Sequence, residues 1–352
     1  MAGPVLVLGG GVTGLQAAAT LSRLGVPALL VERQDALGGH VRHLARTFPL
    51  VDGDGFPDGA SFTERLVDGL RQTAGVEVRL ETTVTGLEGT FPAFRAGLSD
   101  GSQVPVRAVL VATGYEPFDP TSLQEYGYGR YPNVVTALEL EAMLARCAQT
   151  STPLARPSDG KVASRVAILF CIGSRSRRIG APFCSRICCS YGTKEALLVR
   201  ERNPDASVFC FYMDVRAYDR GFEEMYMRAQ ERGVRYIRGR VSSCKELQDG
   251  AIAIRAENTL VQKLFTEEFD LVSLSNGMRP RADAEQLAGL LGIGRDDSGF
   301  VACPNWLARP HDTTREGIFV AGCATGARTI QDCMVAGASA AARVAGLLRS
   351  ER

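Results

Sequence analysis

A Gly9-x-Gly11-x-x-Gly14 spacing follows the apolar run Pro4-Val5-Leu6-Val7-Leu8 and opens a helix-forming stretch. No other feature restricts the fold as tightly, because each glycine answers a different steric demand. The first permits a tight strand-to-helix turn, the second lets backbone approach a pyrophosphate, and the third lets helix and strand pack closely. The helix N-terminus behind them attracts an anion. The pattern predicts a strand over 4–9, a helix over 12–24, and a second strand over Ala28–Val31 ending at Glu32. Such a βαβ unit, closed by an acidic side chain able to accept from ribose hydroxyls, reads as a dinucleotide site.

Three later segments favour FAD over NAD. Gly38-Gly39 offers a second glycine turn just beyond Glu32, and Val111-Ala112-Thr113-Gly114 ends a strand in the turn familiar from flavoproteins with two dinucleotide domains. Gly317-Ile318-Phe319-Val320-Ala321-Gly322-Cys323 resembles the strand that brings backbone amides to the flavin end of such proteins. Arg33, Val84 and Ile330 complete the residues expected around the cofactor. A second α/β pattern follows: strands at 166–170, 207–212 and 271–274, and helices at 187–200 and 221–232. The expected class is α/β with two dinucleotide-binding-type domains. A discontinuous FAD domain covers 1–157 and 276–352, a second domain covers 158–275, and a helix over 135–148 precedes the junction. The second domain lacks a glycine fingerprint. Its first strand runs instead into Cys171-Ile172-Gly173-Ser174-Arg175, which argues against a standard NAD(P)H site.

Cys171, Cys184, Cys188 and Cys189 form a C-x12-C-x3-C-C array. Four convergent thiolates suit an iron–sulfur cluster or zinc. A dithiol/disulfide centre and plain buried cysteines are the other readings, and spacing alone does not decide among them. Ten cysteines with no secretory leader favour metal or redox chemistry in the cytoplasm over disulfides. With 40 basic and 39 acidic residues the chain shows no bias towards nucleic acid or anionic membrane. No apolar run approaches the ~18 residues of a membrane span.

Phe170-Cys171-Ile172-Gly173-Ser174-Arg175, Phe183-Cys184-Ser185-Arg186-Ile187-Cys188-Cys189 and Phe211-Tyr212-Met213-Asp214-Val215-Arg216 together resemble the heterodisulfide reductase A-subunit family. Leu37-Gly38-Gly39-His40, Thr47-Phe48-Pro49, Tyr126-Gly127-Tyr128-Gly129 and Ala321-Gly322-Cys323-Ala324 support the match. The resemblance implies FAD in a thioredoxin-reductase-like fold and one [4Fe–4S] cluster on the four cysteines. It further implies a homodimer and partner subunits that receive electrons. It gives Lys194 a catalytic place beside the flavin N5, where a cation stabilises reduced flavin. The chain departs from the methanogen form: it has no ferredoxin insert and no long C-terminal extension, and Leu50-Val51-Asp52 stand where a cysteine is expected. That compact form is similar to the corresponding A-type protein of the heterodisulfide-reductase-like complex of sulfur-oxidising bacteria, whose pathway uses a lipoate-carrying protein. The A-subunit of a quinone-interacting membrane-bound oxidoreductase is the rival, and a stand-alone NAD(P)H flavoenzyme with structural zinc is a third reading.

Cys147, Cys210, Cys244 and Cys303 read as small buried hydrophobes. Cys323 and Cys333 flank the expected flavin-end turn. His40, His43 and His311 lack metal-ligand spacing. Arg175, Arg177, Arg178 and Arg186 form a basic run that is either a solvated loop or a counter-charge for the cluster.

Overall fold

The computed structural model describes residues 3–48, 58–216 and 218–350. Pro49, Leu50, Val51 and Asp52 lie outside them. Two compact units emerge: Met1–Arg42, Ala60–Glu116 and Arg279–Arg352 form the first, and His43–Gly59 with Pro117–Met278 form the second.

The first unit is built on a parallel sheet in the order Ile318–Val320, Ala108–Val111, Val5–Leu8, Ala28–Val31, Val76–Arg79. Alternate side chains of a strand face opposite ways, and both faces of this sheet are covered, so its central strands are continuous apolar runs. Val5, Val7, Ala28 and Leu30 pack under the helices Val12–Arg23 and Ile330–Ser350. Leu6, Leu8, Leu29 and Val31 pack instead with Phe94, Ala96 and Leu98 of the antiparallel meander Val84–Thr90, Ala93–Leu98, Gln103–Val106. That meander and the helix Gly59–Arg71 fall outside the sequence expectation. Small residues let the two helices approach: a Cβ on Gly337 would lie 2.5 Å from the Thr13 carbonyl oxygen.

The second unit repeats the architecture with the order Arg235–Arg238, Ser207–Tyr212, Arg165–Ile172, Leu271–Asn276, Val134–Thr136. Val166, Ile168 and Phe170 face the helices Ala137–Thr150, Cys188–Arg202 and Phe222–Glu231. Ala167 and Leu169 face the antiparallel strands Val241–Glu246, Ile252–Asn258 and Lys263–Phe269. Residues 117–157, grouped with the first domain on sequence, fall in this second unit because Val134–Thr136 hydrogen-bonds as its edge strand. The same strand moves the following helix start from 135 to Ala137. Thr136 and Glu139 close a capping box there, with the Thr136 N–H donating to Glu139 Oε2 at 2.6 Å.

Asn203 ties the end of the Cys188–Arg202 helix to the incoming chain. Its amide donates to the carbonyls of Leu154 and Ala163, each at 2.9 Å, and accepts from the Leu154 N–H at 2.8 Å. Because Asn203 is buried, Asn203→Ala takes this partner from the Leu154 N–H and the Ala163 carbonyl, while the Leu154 carbonyl keeps the Ala163 N–H at 2.9 Å, and should cost about 2–3 kcal/mol. A chemical-denaturation midpoint equal to that of the parent would refute this role.

Candidate functional site

In the first unit the glycine turn behaves as its spacing demands. Gly9 has φ +105, and a Cβ there would lie 2.5 Å from the Ala112 carbonyl oxygen. A Cβ on Gly14 would lie 1.9 Å from the Gly9 carbonyl oxygen, so helix and strand meet only through glycine. Gly11 differs: a Cβ there would meet nothing within 4 Å, which leaves open space where a pyrophosphate would approach. Gly38 (φ +106) and Gly39 (φ +55) run alongside, with a Gly11–Gly38 bridge and the Gly38 N–H donating to the Gly10 carbonyl at 2.8 Å. Glu32, at the end of its strand, accepts from the N–H groups of Gly10 (2.6 Å) and Gln34 (2.9 Å). It therefore braces the glycine loop.

Apart from Lys194, which lies in the second unit, the remaining residues expected around a dinucleotide fall in this unit too. Ala112 donates to the Leu8 carbonyl at 2.8 Å and leads through Thr113 to Gly114, which has φ +78. Gly322 (φ +68) presses on the first helix, where a Cβ would lie 2.3 Å from Thr13 Oγ1. Cys323 is buried behind it. Ile330 opens the closing helix, Val84 opens the meander, and Arg33 forms a half-exposed ion pair with Asp283 at 3.7 Å. Thr13, which the sequence reading passed over, touches both Gly322 and Cys333. Its place two residues after Gly11 was the available signal.

In the second unit the cysteines gather at the carboxyl end of the Arg165–Ile172 strand and the start of the Cys188–Arg202 helix. A register shift between Leu169 and Ile172 bulges the strand, and Cys171 takes φ +63. A bulge of this kind re-aims a side chain. Cys171 and Cys188 sulfurs approach to 3.9 Å, and the Cys189 thiol also donates to Cys188. Those two thiols hold Cys188 well below the ordinary thiol range, while donation to Cys188, with burial, pushes Cys171 and Cys189 up. The Cys184 sulfur accepts the Arg186 N–H at 3.3 Å and lies within electrostatic reach of Cys171. Among the described residues no three cysteine, histidine or carboxylate side chains converge in metal-binding geometry as they stand. The donor set itself, soft thiols brought together by a strained bulge and a helix start, suits a thiophilic centre.

The basic run divides by role. Arg175 pairs with both carboxylate oxygens of Asp214 and reaches the Cys171 thiol, and the guanidinium holds the Asp214 carboxyl below its usual range. Arg178 forms an exposed pair with Glu125. A Cβ on Gly173 would strike the Phe118 ring at 2.1 Å, which fixes the loop between Cys171 and Arg175.

Lys194 is almost fully buried, 1% exposed. Its ammonium lies 2.6 Å from Glu141 Oε1 and donates to the Arg46 carbonyl at 2.7 Å, while the Ala45 N–H donates to Glu141 Oε2 at 2.8 Å. Beside it Glu195 is fully buried with no hydrogen-bond partner for either oxygen. Burial first, and then the Glu141 charge, pushes the Glu195 carboxyl well above its usual range, against the pull of Lys194. Glu141 was not anticipated from sequence, although an acidic residue next to Leu140 on the apolar stripe of its helix was a visible signal.

Fold and site together define an oxidoreductase flavoprotein with two dinucleotide-binding domains. The family model described as "Pyridine nucleotide-disulphide oxidoreductase" matches residues 2–128. Thioredoxin reductases from Lactococcus lactis (TM-score 0.67, 20% identity, 99% of both chains) and T. acidophilum (TM-score 0.66, 17% identity, 98% of both chains) share the fold. Within that class the chain belongs to the heterodisulfide reductase A-subunit family. It is 35% identical to an iron–sulfur A-subunit of the CoB–CoM heterodisulfide reductase of Methanopyrus kandleri, over 97% of this chain and 64% of that protein. It is 42% identical to the A-subunit of the H(2):CoB-CoM heterodisulfide,ferredoxin reductase of Methanothermobacter marburgensis, over 69% of this chain and 37% of that protein. The chain thus spans less than two thirds of the length of these relatives.

Proposed function

We propose that this protein is an electron-transfer subunit of a heterodisulfide-reductase-like complex, with FAD on the first unit and one [4Fe–4S] cluster on Cys171, Cys184, Cys188 and Cys189. The observation that carries the reading is the thiol group at the end of Arg165–Ile172, where disulfide reductases of this fold carry a second glycine fingerprint. The FAD assignment is supported by the open face at Gly11 and the glycine packing around it. Bound together, the two groups would supply two-electron and one-electron chemistry in one chain. Gly9, Gly11, Gly14, Glu32, Arg33, Gly38, Gly39, Val84, Ala112, Thr113, Gly114, Gly322, Cys323 and Ile330 are assigned to FAD. Lys194 is assigned to the flavin as its catalytic cation. Its ammonium has three donors, and Glu141 and the Arg46 carbonyl engage two of them.

The proposed setting is cytoplasmic sulfur oxidation, with a homodimeric core, partner subunits and a lipoate-carrying protein in the pathway. Among the described residues no helix is long and apolar enough to cross a membrane. The deciding experiment is an anaerobic dithionite titration followed by UV–visible and EPR spectroscopy, with iron, sulfide and zinc analysis. The expected result is bleachable FAD with about four irons and four sulfides per chain. Zinc without iron, or FAD alone, would overturn the cluster assignment and favour a stand-alone flavoenzyme.

A further inference from the structure

Away from the four-cysteine array, Cys147, Cys210 and Cys244 are buried in the hydrophobic cores. Cys323 and Cys333 are different: their sulfurs lie 3.5 Å apart in the first unit. Two unrelated pieces of local structure bring them together. Cys323 belongs to the turn Gly322–Thr325, which the absent side chain of Gly322 lets settle on Thr13. Cys333 lies in the first turn of the closing helix. There the Thr329 hydroxyl donates to Asp332 Oδ2 at 2.9 Å and accepts the Asp332 N–H at 3.2 Å, fixing where the helix begins. Cys333 N–H donates to the Thr329 carbonyl at 3.0 Å. A disulfide has an S–S length of about 2.05 Å, so closing the bond asks for a movement of about 1.5 Å from the 3.5 Å contact.

The two sulfurs are not equivalent. Donation from the Cys323 thiol, with help from the Thr13 hydroxyl and the Arg328 charge, draws Cys333 below the ordinary thiol range. Giving up its hydrogen bond to Cys333, with burial, pushes Cys323 well above it. Cys333 also sits in the first turn of the Ile330–Ser350 helix, where the helix N-terminus favours a thiolate, so Cys333 is the nucleophile of the pair and Cys323 the resolving thiol. At 7% and 5% exposure for Cys323 and Cys333, neither sulfur is open to a bulky disulfide, which restricts the oxidant to a small molecule.

We propose that Cys323 and Cys333 form a dithiol/disulfide redox site on the dinucleotide unit that takes a small hydroperoxide as its oxidant. The Cys333 thiolate attacks one peroxide oxygen, the O–O bond breaks, and the departing hydroxide takes the proton Cys333 had released and leaves as water. Cys323 sulfur then attacks Cys333 sulfur. The S–S bond forms, the S–O bond breaks, and the hydroxyl departs with the Cys323 proton as a second water. In sum two thiols lose two electrons and one hydrogen peroxide becomes two waters. The new bond staples the Gly322 turn to the closing helix beside Thr13. The proposal stands on thiol geometry and does not depend on the flavin or cluster assignments.

The test uses the anaerobically purified protein with its cofactors, treated with hydrogen peroxide, then denatured in N-ethylmaleimide, digested and read by mass spectrometry. The expected result is loss of alkylation at both Cys323 and Cys333, a cross-linked peptide two hydrogens lighter, and full recovery of alkylation after dithiothreitol. In Cys323→Ser the peroxide product should stall at Cys333 as a dimedone-reactive sulfenic acid, whereas Cys333→Ser should leave Cys323 alkylated. Full alkylation of both residues in wild type after peroxide, or cross-links that join either one to a different cysteine, would overturn the proposal. The wild-type measurement decides even where a variant fails to fold, and FAD and iron read on the same sample report the other assignments separately.

Discussion

Lys194→Met is expected to destabilise the protein by about 3–5 kcal/mol, because it leaves a buried carboxylate without its cation. Glu141 is 2% exposed at its side chain and shares Lys194 with the Arg46 carbonyl, so the segment around Ala45 and Arg46 should loosen with the pair. Truncating both partners in Lys194→Met/Glu141→Leu should cost less than the single change, since apolar replacement of a buried pair is often close to neutral. Urea denaturation of the three proteins checks this, and additive losses would sink the pairing argument. Glu195 adds a pH signature. Its folded carboxyl titrates above the unfolded value, so the stability it contributes is present below about pH 4.3 and is lost as pH rises through the folded value. Glu195→Gln, a neutral isostere, should therefore gain on wild type as pH rises from acid to alkaline. A constant difference between the two proteins across pH would contradict a buried protonated Glu195.

The second large effect separates two glycines that look alike in the motif. Gly14→Ala places a Cβ where the Gly9 carbonyl oxygen stands, 1.9 Å away. Overpacking against backbone costs about 1–3 kcal/mol or more, and bound FAD should fall with the distorted turn. Gly11→Ala meets nothing within 4 Å, so it should fold with an unchanged denaturation midpoint yet bind FAD at least about tenfold more weakly, a loss of about 1.4 kcal/mol, by blocking backbone approach to the pyrophosphate. Flavin absorbance after desalting, measured beside the midpoint, reads both outcomes. Equal FAD content in Gly11→Ala and wild type would remove the dinucleotide from that face.

Much of the fold was legible because its signals are local. The run Val5-Leu6-Val7-Leu8 before Gly9 predicted a central strand, which is fully covered on both faces. The strands at 28–31, 207–212 and 271–274 also appear where the sequence placed them. Val134–Thr136 escaped because two valines and a threonine directly before a helix look like more helix. Their partner, Leu271–Asn276, lies far along the chain. The strands Val84–Thr90 and Lys263–Phe269 carry mixed, largely exposed burial patterns without clean alternation. Exposed edges of that kind satisfy their backbone by pairing, which sequence alone does not display.

For the site, the sequence by itself determined the glycine turn, the acidic strand end at Glu32 and the composition of the thiol array, because steric need and ligand chemistry are written in residue type and spacing. It did not determine who meets whom. The bulge that turns Cys171 towards Cys188, the burial of Lys194 against Glu141 and the Arg46 carbonyl, and the 3.5 Å approach of Cys323 to Cys333 all join residues from different elements. Such pairings depend on how packed helices and strands set side-chain positions in three dimensions, and a buried charge or thiol acquires its chemistry only from the neighbours that packing supplies.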